Sequence, residues 1–494
     1  MTLVFSCILL LAGQCQGAAL KEARSPERGR SPLAQGGARP NMAKQPKVGT
    51  AKRYQAPAPQ RFSISNGLAV VLVEDHRFPL VTARLAVGGG AVYTAGREPG
   101  FAEALAGLLT EGTASRSAKQ IAEEADAFGG SVEAEAAPDH YVLHAHSLAE
   151  SAGRMFALLA EVAAAPSFPA EEVELRKRNM LSELQVQRSD PDFLAEVAIY
   201  RKVFNGHPYG SIAPTEASIG RITREQLDGL HERLFVPSNA LLVVVGDATR
   251  EKLQALLEQA FAAWTAPISL PMWPVPAPQA GPAGIRVAVL DRPGSSQSVL
   301  RVGSLAVTEK DPDYFPMLLA NQVLGGSFAA RLMQDLREKR GYTYGAYSGV
   351  SVQRSGACLM VSAAVRTEAT AESVAAVLDH MGRMAREKVT DSELATAKAV
   401  IVGRFVRRLE TQDGLADAVL LTRIHDLPED FLDRFVERVQ AVTREQVLKA
   451  ASRLMAPEKA WAAVIGDLEK IGKSLEKVSK RPLVKVDQNG DDVR

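Results

Sequence analysis

The chain contains the same sequence pattern twice, and this repeat constrains its fold more than any other feature. The first copy, ITREQLDGLHERLFVPSNALLVVVGD, ends at Asp247, and the second, VTREQVLKAASRLMAPEKAWAAVIGD, ends at Asp467. The two copies align without a gap at an offset of 220 residues (467 − 247). Internal similarity at a fixed offset indicates duplication, and 494 residues are too many for one hydrophobic core. We therefore predict two homologous domains.

Each copy of the repeat is typical of a helix followed by a strand. Thr223 and Thr443 stand where a helix N-cap would accept a hydrogen bond from the first turn. The apolar runs after Pro237 and Pro457 are short and end in Gly-Asp, which favours strands. Each half also opens with apolar strands and carries longer helical patterns. These patterns predict an α+β fold in which each domain has an antiparallel-rich sheet with helices packed on one face.

The chain begins with an apolar segment, MTLVFSCILLLAGQCQGAAL, that is typical of a secretory signal peptide. Small residues follow the apolar run and indicate cleavage near Gly17 or Ala18, although no Lys or Arg precedes the run. Cys15 raises the alternative of a lipid anchor, but Gln14 stands where a small residue is required. We therefore predict a signal peptide over residues 1–20 and an exported, periplasmic protein, and we do not favour lipidation.

Composition indicates where the folded domains begin and end. Residues 21–60 are rich in Pro, Gly and basic residues, which predicts a disordered tether. A basic arm that contacts lipids or a partner stays open as an alternative. A second Pro-rich stretch, 266–284, predicts an interdomain linker. We accordingly place an N-terminal domain at 61–265, a C-terminal domain at 285–470 and a tail at 471–494.

The overall composition excludes several classes of protein. The formal net charge is +1, which argues against a nucleic-acid binder. No stretch after the leader approaches the ~18 apolar residues of a membrane span. Cys358 is the only cysteine after the leader, so no internal disulfide can form, and its apolar surroundings predict a buried strand thiol.

The stretch PGFAEALAGLLTEGT, residues 99–113, has the frame of a metal-binding helix but no cluster of metal ligands. Inverted zinc hydrolases carry H-x-x-E-H on such a helix, with two His ligands and a Glu that activates water. The segment resembles the zinc-motif helix of the insulinase/pitrilysin family, which follows a Pro-Gly turn and ends in Gly-Thr. The resemblance maps the two His positions onto Glu103 and Gly107, the Glu position onto Ala106 and the third ligand onto Glu183. We therefore predict a degenerate zinc motif and no metal or other cofactor in this chain.

The second half resembles the same family at a different motif. VLGGSFAARLMQDLREKRGYTYGAYSG, residues 323–349, is similar to its C-terminal signature, in which an Arg and a Tyr seven residues apart reach the substrate. These positions are Arg337 and Tyr344 here. Arg suits a peptide carbonyl or carboxylate, and a Tyr hydroxyl can donate to a developing oxyanion. Spacing alone does not exclude the neighbouring candidates Arg331, Arg340, Tyr342 and Tyr347.

The resemblance covers about residues 61–470 and is of the mitochondrial-processing-peptidase type. It implies half of a clamshell, whose other half is an H-x-x-E-H subunit that carries the zinc. We therefore predict the non-catalytic, substrate-binding subunit of a heterodimeric zinc metalloendopeptidase, which acts on peptides or unfolded proteins. The alternative is a pseudopeptidase scaffold or peptide-binding protein of the cell envelope with no role in hydrolysis. A third possibility is an autonomous hydrolase that uses Glu103 and Glu183 with an unusual metal.

Three further histidines are predicted to be structural rather than catalytic. His207 lies in an HPYG stretch that recurs in the family and resembles a loop packed under the helices. His144 and His146 share one face of a strand, and no third ligand is visible near them. The segment that contains them, FGGSVEAEAAPDHYVLHAH, resembles the family's edge strand that pairs with an extended substrate.

Overall fold

The computed structural model describes residues 57–94, 99–265, 275–281 and 284–493. The predicted signal peptide, nearly all of the predicted tether and most of the predicted linker lie outside the described residues. No helix among the described residues is long and apolar enough to cross a membrane.

The described chain forms two six-stranded mixed sheets. The strands of the first sheet are β1 (Gln60–Ser63), β2 (Ala69–Glu74), β3 (Leu80–Gly88), β4 (Ser131–Ala136), β5 (His140–Leu148) and β6 (Ala240–Gly246). Those of the second are β7 (Arg286–Asp291), β8 (Gln297–Ala306), β9 (Thr343–Val352), β10 (Ala357–Arg366), β11 (Trp461–Gly466) and β12 (Val484–Lys485). The strand orders are β1-β2-β6-β3-β5-β4 and β12-β7-β11-β8-β10-β9. Only the pairs β2–β6, β7–β11 and β7–β12 within these sheets are parallel, so both sheets are antiparallel-rich, as predicted.

Helices connect the strands in both halves. The first half has α1 (Gly90–Thr94), α2 (Phe101–Leu108), α3 (Ala118–Ala127), α4 (Ala152–Ala164), α5 (Ala170–Ser189), α6 (Pro191–Phe204), α7 (Glu216–Gly220), α8 (Arg224–Leu234) and α9 (Arg250–Ala260). The second half has α10 (Tyr314–Leu324), α11 (Thr370–Arg386), α12 (Asp391–Arg408), α13 (Gln412–Ile424), α14 (Phe431–Ala441), α15 (Arg444–Leu454) and α16 (Leu468–Ser479). A π-helical segment, Met333–Lys339, precedes β9. The predicted α+β class with two homologous domains is confirmed.

The sequence repeat corresponds to α8 with β6 and to α15 with β11. Both helices begin with a capping box, in which Thr223 and Thr443 accept from the backbone N–H of Gln226 and Gln446. The two Gln side chains accept in return from the backbone N–H of the Thr residues, at 3.2 and 2.8 Å. The predicted N-caps are therefore confirmed, and their partners are the Gln residues three positions on.

We expect Thr443→Ala to lower the free energy of unfolding by about 1 kcal/mol, because it leaves backbone donors of the first turn of α15 without their acceptor. Thr443→Ser keeps the hydroxyl and should be nearly neutral. Urea unfolding monitored by circular dichroism measures both effects. An equal loss in the Ala and Ser variants would show that the methyl group, and not the cap, stabilises the helix.

Each sheet is covered on one face by helices of its own domain, as predicted, and on the other face by a helix of the other domain. Helix α13 packs on the first sheet, where Leu415 and Val419 contact strand residues such as Val243. Helix α6 packs on the second sheet, where Leu194 and Ala195 contact its strands. This reciprocal exchange closes both apolar faces, which accounts for the near-continuous apolar composition of β6.

A buried arginine occupies the same register position in both sheets. Arg84 of β3 lies opposite Val243 of β6, and Arg301 of β8 lies opposite Ala463 of β11. Each guanidinium reaches the exchanged helix, with Arg84 bonded to Asp413 and Asp417 of α13 at 2.6 and 2.9 Å. The exchange is therefore fixed by ion pairs of a buried arginine with aspartates at the surface, as well as by apolar contacts.

The second exchanged helix repeats this arrangement. Arg301 donates to Asp192 of α6 at 2.6 Å. Glu196, one turn further along α6, is half-buried, and burial raises its pKa while Arg301 lowers it. In both halves, two acidic residues one helical turn apart thus face the buried arginine. The two halves therefore balance the charge of this arginine in the same way.

Residues 471–493, predicted to be a tail, contain structured elements that extend the second domain. Helix α16 buries Ile471 and Leu475 against the second sheet, and β12 pairs with β7. The end of the chain then reaches the first domain, where Asp491 bonds to Arg201 of α6 at 2.8 Å. The amphipathic pattern LEKIGKSLEKVS explains the difference, because its apolar positions follow a helical period.

Candidate functional site

Helix α2 retains the turn and the apolar face of a zinc-motif helix, and this apolar face packs in the core of the first domain. It starts after Gly100, whose φ of 88° is in the left-handed region and where a Cβ would lie 2.6 Å from Pro214 Cβ. Its buried face belongs to the core of the first domain and includes Phe101, Leu105 and Ala106. Loss of the motif residues has therefore left a helix that the domain still requires.

The carboxyl group of Glu103 is held in a dry environment. Its Oε2 atom is shielded from solvent and accepts no hydrogen bond from the described residues. Burial raises the pKa of the Glu103 carboxyl above its ordinary value, and the positive charge of Arg176 on α5 partly offsets this effect. Glu103 is thus a shielded carboxyl that is influenced by the positive charge of Arg176.

The guanidinium of Arg176 fills the space beside Gly107. A Cβ atom built on Gly107 would lie 3.1 Å from Nε and 3.3 Å from Cζ of Arg176. The same guanidinium places its Nη1 atom 3.6 Å from Oε1 of Glu183. The side chain of Arg176 therefore lies between the mapped positions of the second His and the third ligand.

These residues do not fit a zinc ion. Ala106 and Gly107 have no ligand atom, and a guanidinium, which is always protonated, lies where the metal ligands would converge. Glu103 and Glu183 remain as carboxylates, but no group of three His, Cys, Asp or Glu in the described ranges could hold a metal ion. The predicted degenerate motif is therefore a packed ion cluster.

Arg337 and Tyr344 lie together in the second domain. The π-helical segment carries Arg337 and β9 carries Tyr344, and Cζ of Arg337 lies 4.7 Å from the centroid of the Tyr344 ring. The same guanidinium lies 5.0 Å from the ring centroid of Phe328. Tyr344 is 87 % exposed and Phe328 is 52 % exposed, so both rings are available to a partner or substrate. This cation–π stack holds the guanidinium of Arg337 at the surface.

The competing arginines are occupied by carboxylates. Arg331 donates to both carboxylate oxygens of Glu393, at 2.7 and 3.0 Å. Arg340 donates to Asp335 at 3.1 Å, and Asp335 also bonds to His380. Of Arg331, Arg337 and Arg340, it is Arg337 that stacks on Tyr344, the predicted tyrosine.

The two competing tyrosines, Tyr342 and Tyr347, differ in how far they are buried. Tyr342 packs against the core of the second domain, whereas Tyr347 is 43 % exposed on the same strand as Tyr344. Tyr347 therefore stays a candidate for contact with a substrate, and Tyr342 does not. Strand β9 is one of the two outer strands of the second sheet, and β4, in the predicted edge-strand segment, is one of the two outer strands of the first.

The ion pair of Glu393 with Arg331 has a defined pH dependence. Hydrogen bonds from Arg331 lower the pKa of Glu393 to about 2. Because this pKa lies below that of the unfolded chain, the pair stabilises the fold above about pH 4.3 and its contribution is lost as the pH falls toward 2. We expect Glu393→Gln to cost about 2 kcal/mol at pH 7, and the difference from wild type to shrink progressively as the pH falls below about 4.3.

The measurement is the free energy of unfolding of both proteins from pH 7 to pH 3. Glu387→Gln is a matched control, because Glu387 pairs with Arg383 on the exposed surface. A difference between wild type and Glu393→Gln that is constant with pH would contradict the assignment.

The predicted structural histidines have ordinary partners. His144 and His146 each lie within hydrogen-bond distance of a side chain of the neighbouring strand β4, at 3.1 and 3.2 Å. The ring of His207 bonds to the carbonyl of Pro276 at 2.7 Å and accepts from the backbone N–H of Tyr209 at 3.1 Å. Cys358 is buried in β10, and burial raises its pKa to about 12.

Two residues of the candidate site are not identified by sequence reasoning. Arg176 precedes Glu183 by seven residues on one helix, which places both side chains on the same face, and this spacing is the available signal. Phe328 lies outside any periodic element, and only its proximity to Arg337 in space gives it a role.

A duplicated α+β fold, with a helix in its first half that keeps the frame of a zinc motif but not its ligands, places the chain in the zinc-peptidase class. Comparisons with known proteins agree. Residues 69–214 match the family model for insulinase (peptidase family M16), and residues 221–401 match that for the peptidase M16 inactive domain. The chain belongs to the insulinase family and is of the type that lacks the H-x-x-E-H motif.

Relatives of similar length support this placement. An uncharacterised zinc protease of Mycobacterium tuberculosis is 26% identical over 427 residues, which cover 85% of this chain and 96% of the relative. One of Bacillus subtilis is 22% identical, with 82% of this chain and 98% of the relative covered.

Solved structures show the same fold. A peptidase M16 inactive domain from Pseudomonas fluorescens is 29% identical with a TM-score of 0.77, and the match covers 83% of this chain and 98% of that one. A protease from Helicobacter pylori, at 18% identity, has a TM-score of 0.74 over 83% of this chain and 99% of that one.

Proposed function

We propose that this protein is the non-catalytic, substrate-binding subunit of a heterodimeric zinc metalloendopeptidase. The partner is a chain of the same family with an intact H-x-x-E-H motif, and it carries the zinc. The observation that carries the proposal is the exposed Arg337–Tyr344 stack in a chain whose own metal positions hold Ala106 and Gly107. An Arg–Tyr pair can orient a peptide and stabilise an oxyanion, but it supplies no nucleophile, which in this proposal is the zinc-bound water of the partner.

In this proposal the partner supplies the metal chemistry and this chain positions the substrate. The planar fork of Arg337 donates to a peptide carbonyl or carboxylate of the substrate. The hydroxyl of Tyr344 donates to the oxygen of the scissile carbonyl as negative charge develops on it. The stack on Phe328 and Tyr344 limits the rotamers of Arg337, which reduces the entropy lost when it binds.

The substrates are peptides or unfolded proteins in extended form. The exposed outer strands β4 and β9 each present a sheet edge to which an extended chain could add as a further strand. The leader-like residues 1–20 support export to the periplasm as the place where the complex acts.

The substrate-binding role is tested by a partner that cannot cleave. A chain of the family with its H-x-x-E-H glutamate replaced by Gln is mixed with this protein, and a fluorescent unstructured peptide is titrated in by anisotropy. We expect the mixture to bind the peptide more tightly than either chain alone, and Arg337→Ala to remove most of that gain. Equal binding by the partner alone would contradict the proposal.

A second candidate function is a pseudopeptidase scaffold or peptide-binding protein of the cell envelope, without a role in hydrolysis. The observation that favours it is that Arg337 already contacts two aromatic rings of its own chain and Nε lies 3.4 Å from Oε1 of Glu338. A scaffold would bind peptides or envelope proteins but would leave the turnover of any H-x-x-E-H chain unchanged.

A further inference from the structure

The mapped metal site contains a positive charge that belongs to the chain itself. Arg176 extends from α5 to α2, where its Nε, Cζ and Nη2 atoms lie 3.1, 3.3 and 3.6 Å from the position of a Cβ on Gly107. Contacts of 3.1–3.3 Å are tighter than ordinary van der Waals packing, so even an Ala side chain would press on the guanidinium. A His side chain at this position would have to displace Arg176.

Three carboxyl groups share this one cation. Glu183 lies 3.6 Å from Nη1 of Arg176, and the positive charge of Arg176 acts on both Glu103 and Glu111. Glu172 is close enough to Glu111 to raise its pKa further. Of these carboxyl groups Glu103 is shielded, whereas the side chain of Glu183 is exposed to solvent. A shielded carboxylate is unfavourable unless a cation faces it. In a metal-binding relative of this fold the metal ion would be that cation.

Two polar atoms within this cluster are shielded and unpaired. Oε2 of Glu103 and Nε of Arg176 have no hydrogen-bond partner in the part of the chain that the structure describes. Both atoms are therefore held in place by charge and packing rather than by direct hydrogen bonds to the protein. Gly107 fits this arrangement, because Gly is unfavourable in a helix relative to Ala and here leaves room for the guanidinium.

We propose that Arg176 replaces the metal ion of this fold: its guanidinium occupies the site, faces the carboxyl groups of Glu103 and Glu183, and excludes metal ions. The loss of the metal ligands and the gain of an internal cation are then coupled. Gly107 provides the space for the guanidinium, and Arg176 provides the positive charge. This proposal is independent of whether the protein acts with a peptidase partner.

Restoring the ligands with and without Arg176 tests the proposal. The triple variant Glu103→His, Ala106→Glu, Gly107→His recreates H-x-x-E-H and keeps Glu183 as third ligand. The quadruple variant adds Arg176→Ala. Zinc affinity is measured by competition with a chromophoric chelator, and circular dichroism checks that both variants fold. We expect zinc to bind the quadruple variant at least about tenfold more tightly, because a positive charge is removed from the site. Equal affinity of the two variants would overturn the proposal.

Single substitutions in the native background provide a second test that needs no new ligands. Arg176→Met keeps the length of the side chain but leaves the carboxylates without their cation. We expect its Tm to fall by at least about 3 °C, and Glu103→Gln in the same chain to recover part of the loss. Arg178→Met is the control, since Arg178 lies exposed on the same helix. An unchanged Tm in Arg176→Met would overturn the role of Arg176 as the internal cation.

Discussion

Replacement of Tyr344 by Phe is expected to lower kcat of the proposed heterodimeric peptidase by about 10²-fold and to leave KM nearly unchanged. The hydroxyl would act mainly on the charge that develops in the transition state, and loss of one oxyanion donor typically has an effect of this size. Because Tyr344 is 87 % exposed, the substitution should not affect folding. The measurement is steady-state cleavage of an internally quenched peptide by the complex, with assembly checked by size-exclusion chromatography.

Tyr347→Phe is the matched control for this prediction. Tyr347 is on the same strand and 43 % exposed, but it is not stacked on Arg337. We expect this variant to retain nearly full turnover. If Tyr347→Phe lost turnover while Tyr344→Phe kept full turnover, Tyr347 would be the oxyanion donor. Full turnover in both variants would mean that neither tyrosine of this strand is the donor.

The second large effect is expected at the exchanged helix α13. Replacement of both Asp413 and Asp417 by Asn leaves Arg84 buried without its carboxylates, and we expect a loss of about 3 kcal/mol in the free energy of unfolding. Both aspartates are partly exposed, so the loss should be at the lower end of the range for a broken buried pair. Urea unfolding at pH 7 measures it.

A compensating substitution distinguishes buried charge from local packing. Arg84→Met in the background of the double Asn variant removes the unpaired charge, and we expect it to recover much of the lost stability. Asp391→Asn is the control, because Asp391 pairs with Arg444 on the surface. If Arg84→Met worsened the double variant, the packing of the Arg84 side chain would matter more than its charge.

The local elements of the fold follow from the sequence because their signals are local. The capping boxes at Thr223 and Thr443 and the apolar runs that follow them predict α8, β6, α15 and β11 directly. The strand register also supports the duplication. Arg84 and Arg301 lie opposite equivalent residues of β6 and β11, although neither arginine is part of the sequence repeat. Residue-by-residue mapping also identifies the lost ligands, because the motif has a fixed spacing along one helix.

The long-range features could not be predicted in the same way. The apolar faces of α6 and α13 show that each helix is buried but do not show which sheet covers it. The contact of Arg176 with Gly107 depends on how α5 packs against α2, which no spacing along the chain reports. The choice of Arg337 over Arg331 and Arg340 likewise depends on which carboxylates lie nearby in space.

In the proposed function this chain positions the substrate and a metal-bearing partner supplies the zinc. The most direct test of this function is to measure zinc content and peptide cleavage by this protein alone, by an H-x-x-E-H partner alone and by the mixture. We predict that this protein is free of zinc and inactive alone, and that it raises the cleavage rate of the partner. A partner that cleaves equally well without it, or zinc-dependent cleavage by this protein alone, would contradict the account.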